Sequence, residues 1–264
     1  MYPTKYHRAA SLDDAVAAIG AAAEGKFLSG GQTLLATMKQ HLAAPTDLVD
    51  VRNIEGMKGI STDGDTLVIG AATTHAEVAG NSDVARLCPA LAVLAAGIGD
   101  PAVRSVGTIG GSIANNDPAA DYPAGLLAHG ATIVTNTREI SADDFFEGLF
   151  TTVLEEDEIV TSVRVPAAKK AGYAKFRQPA SLFALVGVCV VDTGNGVRVA
   201  VTGAGDDGVF RHDGLEAALS ENWSVGSVDA VEISEDGLMA DIHASGPYRA
   251  NLIKVMTKRA VEAA

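Results

Sequence analysis

The spacing of apolar residues predicts that helices and strands alternate through the first two-thirds of the chain. Leu12, Ala15, Val16 and Ile19 recur at helical spacing, and Ser11 before them is a preferred N-cap residue. Short apolar runs predict strands at residues 26–29, 48–49, 66–69, 131–135 and 159–165. Further helices are predicted from residue 33, over residues 89–98 and over residues 122–128.

The pattern changes after Pro166. Two apolar runs, residues 186–191 and 197–202, are joined by Gly194-Asn195-Gly196, which predicts a β-hairpin because glycine and asparagine accept positive φ. A closing helix is predicted over residues 248–260. We therefore predict two domains, residues 1–166, with sub-lobes of about 1–55 and 56–166, and an α+β domain of residues 167–264.

Composition and charge narrow the classes of function. The 264 residues include 33 acids and 20 bases, and the resulting net charge of -13 disfavours nucleic-acid binding. No apolar run approaches the ~20 residues of a transmembrane helix. Cys88 and Cys189 are isolated, which favours buried thiols in the cytoplasm, and two thiolates cannot hold an iron–sulfur cluster alone. A phosphate-bearing ligand would need local donors to hold it.

A first glycine motif lies where a predicted strand runs into a predicted helix. Such a junction directs unpaired backbone amides and a helix N-terminus at one point, which suits an anion. Glycine at its centre permits close approach of the backbone, and neighbouring hydroxyls add donors. The candidate residues are Ser29, Gly30, Gly31, Gln32, Thr33 and Leu34.

A second glycine motif occupies residues 103–114. It combines three glycines with hydroxyl residues, and its candidate residues are Thr108, Gly110, Gly111 and Ser112. Asp121 follows just before the next predicted helix, where a carboxylate can accept hydrogen bonds from sugar or ribitol hydroxyls. Two donor-rich loops suit a diphosphate that is held from both sides, so the pair favours a dinucleotide ligand.

In this order the two motifs resemble the paired FAD signatures of the molybdenum hydroxylase flavoproteins. These are the medium subunits of aerobic carbon monoxide dehydrogenase-type enzymes, related to the flavin segment of xanthine dehydrogenase. The resemblance covers nearly the whole chain, with departures at Ala36 and His41, where the family often has proline and arginine. It implies an α+β fold: a two-lobed FAD-binding domain of the vanillyl-alcohol-oxidase-like type, followed by a C-terminal α+β domain with a small antiparallel sheet.

The resemblance also implies roles for individual residues. Both glycine motifs would hold the FAD diphosphate mainly through backbone amides, and Asp121 would bond FAD hydroxyls. Ile98 and Gly99 match positions against the flavin side, and Val160 matches a backbone contact near the ring. Lys175 and Phe183 match a lysine and a ring-covering residue, and an aromatic at position 183 could stack on the isoalloxazine.

The function that the resemblance implies is electron transfer by FAD within a heterotrimeric molybdenum hydroxylase. A small subunit would supply electrons from [2Fe–2S] clusters, a large subunit would carry the molybdenum cofactor, and an external acceptor would receive the electrons. The expected assembly is a dimer of heterotrimers. Two alternatives stay open: a self-sufficient FAD-dependent oxidase or dehydrogenase, and a flavin-free scaffold subunit. No residue of this chain is predicted to be catalytic or to bind metal.

Three other features have structural interpretations. Residues 203–208 match a dinucleotide fingerprint formally, but the residues after them do not open a helix, so a plain turn is expected. His75 could suggest covalent flavin attachment, but it lies in a predicted capping box of Thr74 and Glu77. Arg104 could pair with a carboxylate or contact a partner subunit.

Overall fold

The computed structural model describes all 264 residues. The strands are β1 (Lys5–Arg8), β2 (Gly25–Leu28), β3 (Asp47–Asp50), β4 (Ile60–Asp63), β5 (Thr66–Gly70), β6 (Thr132–Thr135), β7 (Glu139–Ser141), β8 (Phe146–Gly148), β9 (Thr151–Thr152), β10 (Val160–Pro166), β11 (Lys170–Arg177), β12 (Ala184–Asp192), β13 (Val197–Gly205) and β14 (Gly208–Arg211). The helices are α1 (Leu12–Ala21), α2 (Leu34–Lys39), α3 (His75–Gly80), α4 (Ser82–Leu87), α5 (Pro89–Ala96), α6 (Pro101–Arg104), α7 (Ile109–Asn115), α8 (Asp121–His129), α9 (Ala142–Phe145), α10 (Asp213–Glu221), α11 (Val225–Asp229) and α12 (Gly246–Glu262).

The strands form four sheets. The first is parallel, in the spatial order β1-β3-β2, with α1 and α2 in the connections between its strands. The second is antiparallel, in the order β4-β5-β10-β6-β7, and the third is antiparallel, in the order β11-β12-β13-β14. β8 and β9 form a short hairpin of their own. The α+β fold is therefore confirmed.

Side-chain caps fix several of the predicted helix starts. The Ser11 hydroxyl accepts a hydrogen bond from the Asp14 amide at 3.1 Å, which begins α1 where the sequence predicts it. Thr74 and Glu77 form the predicted capping box at the start of α3. His75 is 5% exposed within this helix. From these starts, α1 packs on β2 and β3, and α3 packs mainly on α5.

One large core joins most of the chain. A cluster of 39 buried residues fills the space between the second sheet and α3, α5, α7 and α8. This cluster continues onto one face of the third sheet through Tyr173, Cys189 and Val191. A second cluster of 17 residues lies on the opposite face, under α10 and α12. The division at residue 166 stays a prediction, because the core crosses it.

The structure refines two turns near the C-terminal sheet. In the hairpin between β12 and β13, Gly194 and Gly196 take positive φ but Asn195 does not, so the expectation for asparagine is wrong. The fingerprint-like segment is the end of β13 and a tight turn into β14, so the expected plain turn is confirmed. No helix is long and apolar enough to cross a lipid bilayer.

Candidate functional site

The two glycine motifs lie in direct contact. A Cβ added to Gly30 would lie 2.6 Å from the carbonyl oxygen of Val106 and 2.7 Å from the Cα of Gly107, so only glycine fits. The hydroxyls of Ser29 and Thr108 are hydrogen-bonded at 2.9 Å across the junction. The fold thus brings together two segments that are 79 positions apart in the sequence.

The first motif presents a row of free backbone donors. The amides of residues 29–34 donate to no protein acceptor, although the Gly31 carbonyl accepts from Leu35 at 3.1 Å as α2 begins. Gly31 has a φ of 70°, a left-handed conformation that suits glycine and turns successive amides toward one side. The prediction of an anion-binding backbone therefore has a physical basis in this segment.

The second motif differs from the expectation, because most of its amides are already bonded. Ile109 donates to Thr73 O at 3.1 Å, Gly110 donates to Ala71 O at 2.8 Å, and Ser112 donates to Thr108 O at 3.0 Å. The Gly111 amide donates to the Thr108 hydroxyl at 3.2 Å, as the N-cap bond of α7. These four amides are therefore bonded within the protein, and the expectation that this motif holds the diphosphate mainly through backbone amides stays a prediction.

The second motif packs tightly against the second sheet and carries hydroxyl groups. A Cβ on Gly110 would lie 2.8 Å from Ala71 O, so α7 approaches the second sheet closely. Gly111 is exposed and Ser112 is half-buried beside it, next to the Ser29–Thr108 contact. The motif thus sets the position of the first motif and leaves side-chain hydroxyls near it.

Asp121 lies in a buried polar cluster with two residues of β11. Its side chain is 4% exposed, accepts a short hydrogen bond from the Tyr173 hydroxyl, and pairs with Lys175 Nζ at 2.9 Å. The side chain of Lys175 is 3% exposed. Burial raises the pKa of Asp121, and the Lys175 ammonium opposes that rise. Asp121 and Lys175, each of which the resemblance assigns to the FAD site, therefore bind each other.

The segment that leads to Asp121 is tied to the C-terminal sheet. The Thr202 hydroxyl donates to the carbonyl oxygens of Pro118 at 3.0 Å and Ala120 at 2.7 Å. The Ala119 amide donates to Asp117, whose pKa burial raises. These bonds fix the start of α8 against β13, so both parts of the chain build the surroundings of Asp121.

Ile98 and Gly99 form the loop between α5 and α6. Both of their carbonyl oxygens accept hydrogen bonds from Arg104 Nη1, at 3.0 and 2.9 Å. Arg104 therefore bonds backbone carbonyls and has no carboxylate within 4.0 Å, so the carboxylate pairing considered from the sequence is wrong, and the contact with a partner subunit stays a prediction. Burial first, and Arg104 second, lowers the pKa of the nearby His75 to about 4, so that imidazole is neutral at pH 7.

Val160 and Phe183, the two remaining candidates, lie on different elements. Val160 is buried in β10, next to Thr161, whose carbonyl accepts from the Ala71 amide at 2.9 Å, so β10 supports the second motif through Ala71. Phe183 is 44% exposed in the turn before β12. No hydrogen bond or buried core contact joins Phe183 to the glycine motifs, and its ring-covering role stays a prediction.

Sequence reasoning missed Tyr173 and Arg177. Both lie at alternate positions of β11 with Lys175, so a strand period of two would have placed them on one face. Arg177 lies beside the end of α5, where a Cβ on Gly97 would be 3.3 Å from its guanidinium. Neither Arg104 nor Arg177 has a carboxylate within 4.0 Å. The charge of Arg177 nevertheless opposes the rise in the pKa of Asp121.

These features fit a phosphate-bearing dinucleotide. The free amides of residues 29–34 would hold a diphosphate without a lysine or arginine in the loop. The Ser29, Thr108 and Ser112 hydroxyls add donors next to those amides. The guanidinium groups of Arg104 and Arg177, which form no ion pair, lie beside the loop of residues 97–99 and would favour negative charge on a ligand there.

Comparison with known proteins agrees with this geometry. The family described as "FAD binding domain in molybdopterin dehydrogenase" matches residues 2–168. The carbon monoxide dehydrogenase medium chain of Hydrogenophaga pseudoflava is 34% identical, over 98% of this chain and 96% of the relative. The nicotine 6-hydroxylase medium subunit of Paenarthrobacter nicotinovorans is 32% identical, over 97% of this chain and 95% of the relative.

A solved structure extends the similarity to the whole fold. A chain of the reconstituted CO dehydrogenase from Oligotropha carboxidovorans superposes with a TM-score of 0.91 at 30% identity, and the match covers 100% of this chain and 99% of the other. The family match covers both glycine motifs, and the relatives and the solved structure extend the similarity over the C-terminal sheet. This chain therefore belongs to the FAD-binding medium-subunit family of the molybdopterin dehydrogenases.

Proposed function

We propose that this chain is the electron-transfer subunit of a heterotrimeric molybdenum hydroxylase. The observation that carries the proposal is the row of amides at residues 29–34, which donate to no protein acceptor and begin at the contact between Ser29 and Thr108. These residues are half-buried or exposed, so a ligand can reach their amides, and six free amides where a strand runs into a helix suit an anion.

The residues of this chain would divide the binding of FAD among them. The amides of residues 29–34 and the Ser112 hydroxyl would hold the diphosphate, and Thr108 would keep the two motifs together. Asp121, fixed by Tyr173 and Lys175, would accept from FAD hydroxyls with its remaining lone pairs. Ile98, Gly99, Val160 and Phe183 would surround the ring.

Electrons would reach this chain from the [2Fe–2S] clusters of a small subunit, after substrate is oxidised at a molybdenum cofactor on a large subunit. When bound, FAD supplies a ring that accepts electrons one at a time and releases two together. Two cluster oxidations would thus match one two-electron reduction of an external acceptor. The names of the relatives, medium chain and medium subunit, support a small and a large partner subunit, and a dimer of such heterotrimers is the assembly that we propose.

The test follows electrons into the flavin with and without the partner chains. The purified complex and the isolated FAD-loaded chain are each mixed anaerobically with the substrate of the complex, and flavin absorbance is recorded. We expect bleaching only in the complex, followed by recovery when an acceptor is added. Bleaching in the isolated chain would favour the self-sufficient oxidase, and an unbleached flavin in an active complex would refute electron transfer through this subunit.

A further inference from the structure

We infer that Arg104 is a positioning residue that directs two backbone donors at the flavin ring. The inference rests on the proposed function, because it concerns the ring side of the same site. Arg104 is half-buried at the end of α6, and its Nη1 donates to both Ile98 O and Gly99 O. One guanidinium group thus fixes the orientation of two successive peptide groups.

The planar peptide bond converts this contact into a direction for the amides. In a trans peptide the N–H points opposite to the C=O of the same unit, and this chain has no cis peptide. The Ile98 carbonyl belongs to the unit of the Gly99 amide, and the Gly99 carbonyl to the unit of the Asp100 amide. When both carbonyls face Arg104, both amides face away from it, and neither has a protein acceptor.

The loop holds this arrangement by local means as well. Gly99 has a φ of 48°, and a Cβ there would lie 2.9 Å from the Val103 side chain. The Asp100 carboxylate accepts from the Val103 amide at 2.8 Å and so caps α6. The Asp100 cap therefore fixes the end of the loop that leads into α6, and Arg104 fixes the two carbonyl groups before it.

The charge of Arg104 strengthens the effect. No carboxylate lies within 4.0 Å of its guanidinium, and the neighbouring His75 is neutral at pH 7 because its pKa is lowered to about 4. A cation behind two aligned amides increases the positive potential on their N–H side. Donors preset toward developing negative charge stabilise it without reorganisation. Arg104 should therefore favour reduced over oxidised FAD.

The test measures the reduction potential of FAD bound to the wild-type chain, Arg104→Met and Arg104→Lys. Methionine has similar length but no donor, and lysine restores donor and charge. We expect Arg104→Met to weaken reduced FAD roughly tenfold more than oxidised FAD, a shift of about 30 mV to more negative potential for a two-electron couple. Arg104→Lys should recover at least half of that shift. Arg86→Met, which removes an exposed arginine paired with Asp83, serves as the charge control and should not shift the potential.

The readouts separate this inference from the proposed function. An unchanged potential in Arg104→Met, or equal weakening of oxidised and reduced FAD, would show that Arg104 only supports the fold. The wild-type chain is first titrated with FAD. If it takes up none, the proposed function is refuted before any variant is compared. If Arg104→Met does not fold, Arg104→Gln, which keeps an amide donor but removes the charge, takes its place, and a potential equal to that of the wild type would overturn the inference.

Discussion

Replacing Gly30 with alanine tests the contact between the two glycine motifs. The added Cβ would lie 2.6 Å from Val106 O, 2.7 Å from Gly107 Cα and 3.1 Å from Thr108 N. All three atoms are backbone, so no side chain can rotate away to relieve the clash. Ordinary contact would require the motifs to separate by roughly 0.8 Å, at a cost of about 1–3 kcal/mol in folding free energy.

That separation should weaken FAD binding as well as the fold. The hydrogen bond between the Ser29 and Thr108 hydroxyls, now 2.9 Å, would be lost, and the amides that begin at Ser29 would leave their alignment. Loss of one charge-assisted hydrogen bond to a phosphate costs about 2 kcal/mol, which is roughly a thirtyfold rise in Kd.

The assay is titration of the apoprotein with FAD, followed by flavin fluorescence. Gly20→Ala is the matched control, because Gly20 lies in α1 with nothing within 4 Å of its added Cβ, and it should bind FAD like the wild type. A thermal unfolding curve shows that each variant is folded before titration. Wild-type affinity in Gly30→Ala would refute the argument that this junction holds the diphosphate.

Two further predictions concern buried charges. Asp121→Asn removes the partner of the buried Lys175, so we expect a loss of about 3 kcal/mol in the unfolding free energy of the apoprotein. Adding Lys175→Met to the same chain should restore most of that loss. An unchanged urea midpoint in the single variant would contradict the pairing. Glu158 is bonded by Arg138, Thr135 and Thr137, and these contacts lower its pKa from 4.5 to about 2. Because the pKa of Glu158 is lower in the folded state, the stabilisation of about 2–3 kcal/mol is complete above pH 4.5 and is lost as the pH falls from there toward 2. Glu158→Gln should flatten the dependence of the unfolding free energy on pH in that range. The same pH dependence in the variant and the wild type would contradict this role of Glu158.

Local signals in the sequence predicted the elements well. Ser11 and the Thr74–Glu77 box start helices where their side chains satisfy free amides, and that chemistry depends only on neighbouring residues. The free amides of the first motif could also be predicted from neighbouring residues. A strand that turns through Gly30 and Gly31 into a helix leaves the backbone amides of the turn unpaired.

Local sequence patterns could not predict the tertiary contacts of the site. The second motif looked like a donor-lined loop, but its amides bond Thr73 and Ala71, which come from a distant strand end. The Asp121 carboxylate looked free to meet a ligand, yet Tyr173 and Lys175 reach it from 52 and 54 positions away. No local pattern could indicate these pairings, because they depend on how β11 packs against α8.

The most direct measurement of the central claim is the identity and amount of cofactor on this chain. The protein would be purified with its co-expressed partner chains, separated from them, and denatured, and the released flavin would be identified by mass and quantified. The account predicts one FAD for each chain and a large drop in Gly30→Ala. A colourless chain that takes up no FAD after reconstitution, with or without its partners, would contradict it.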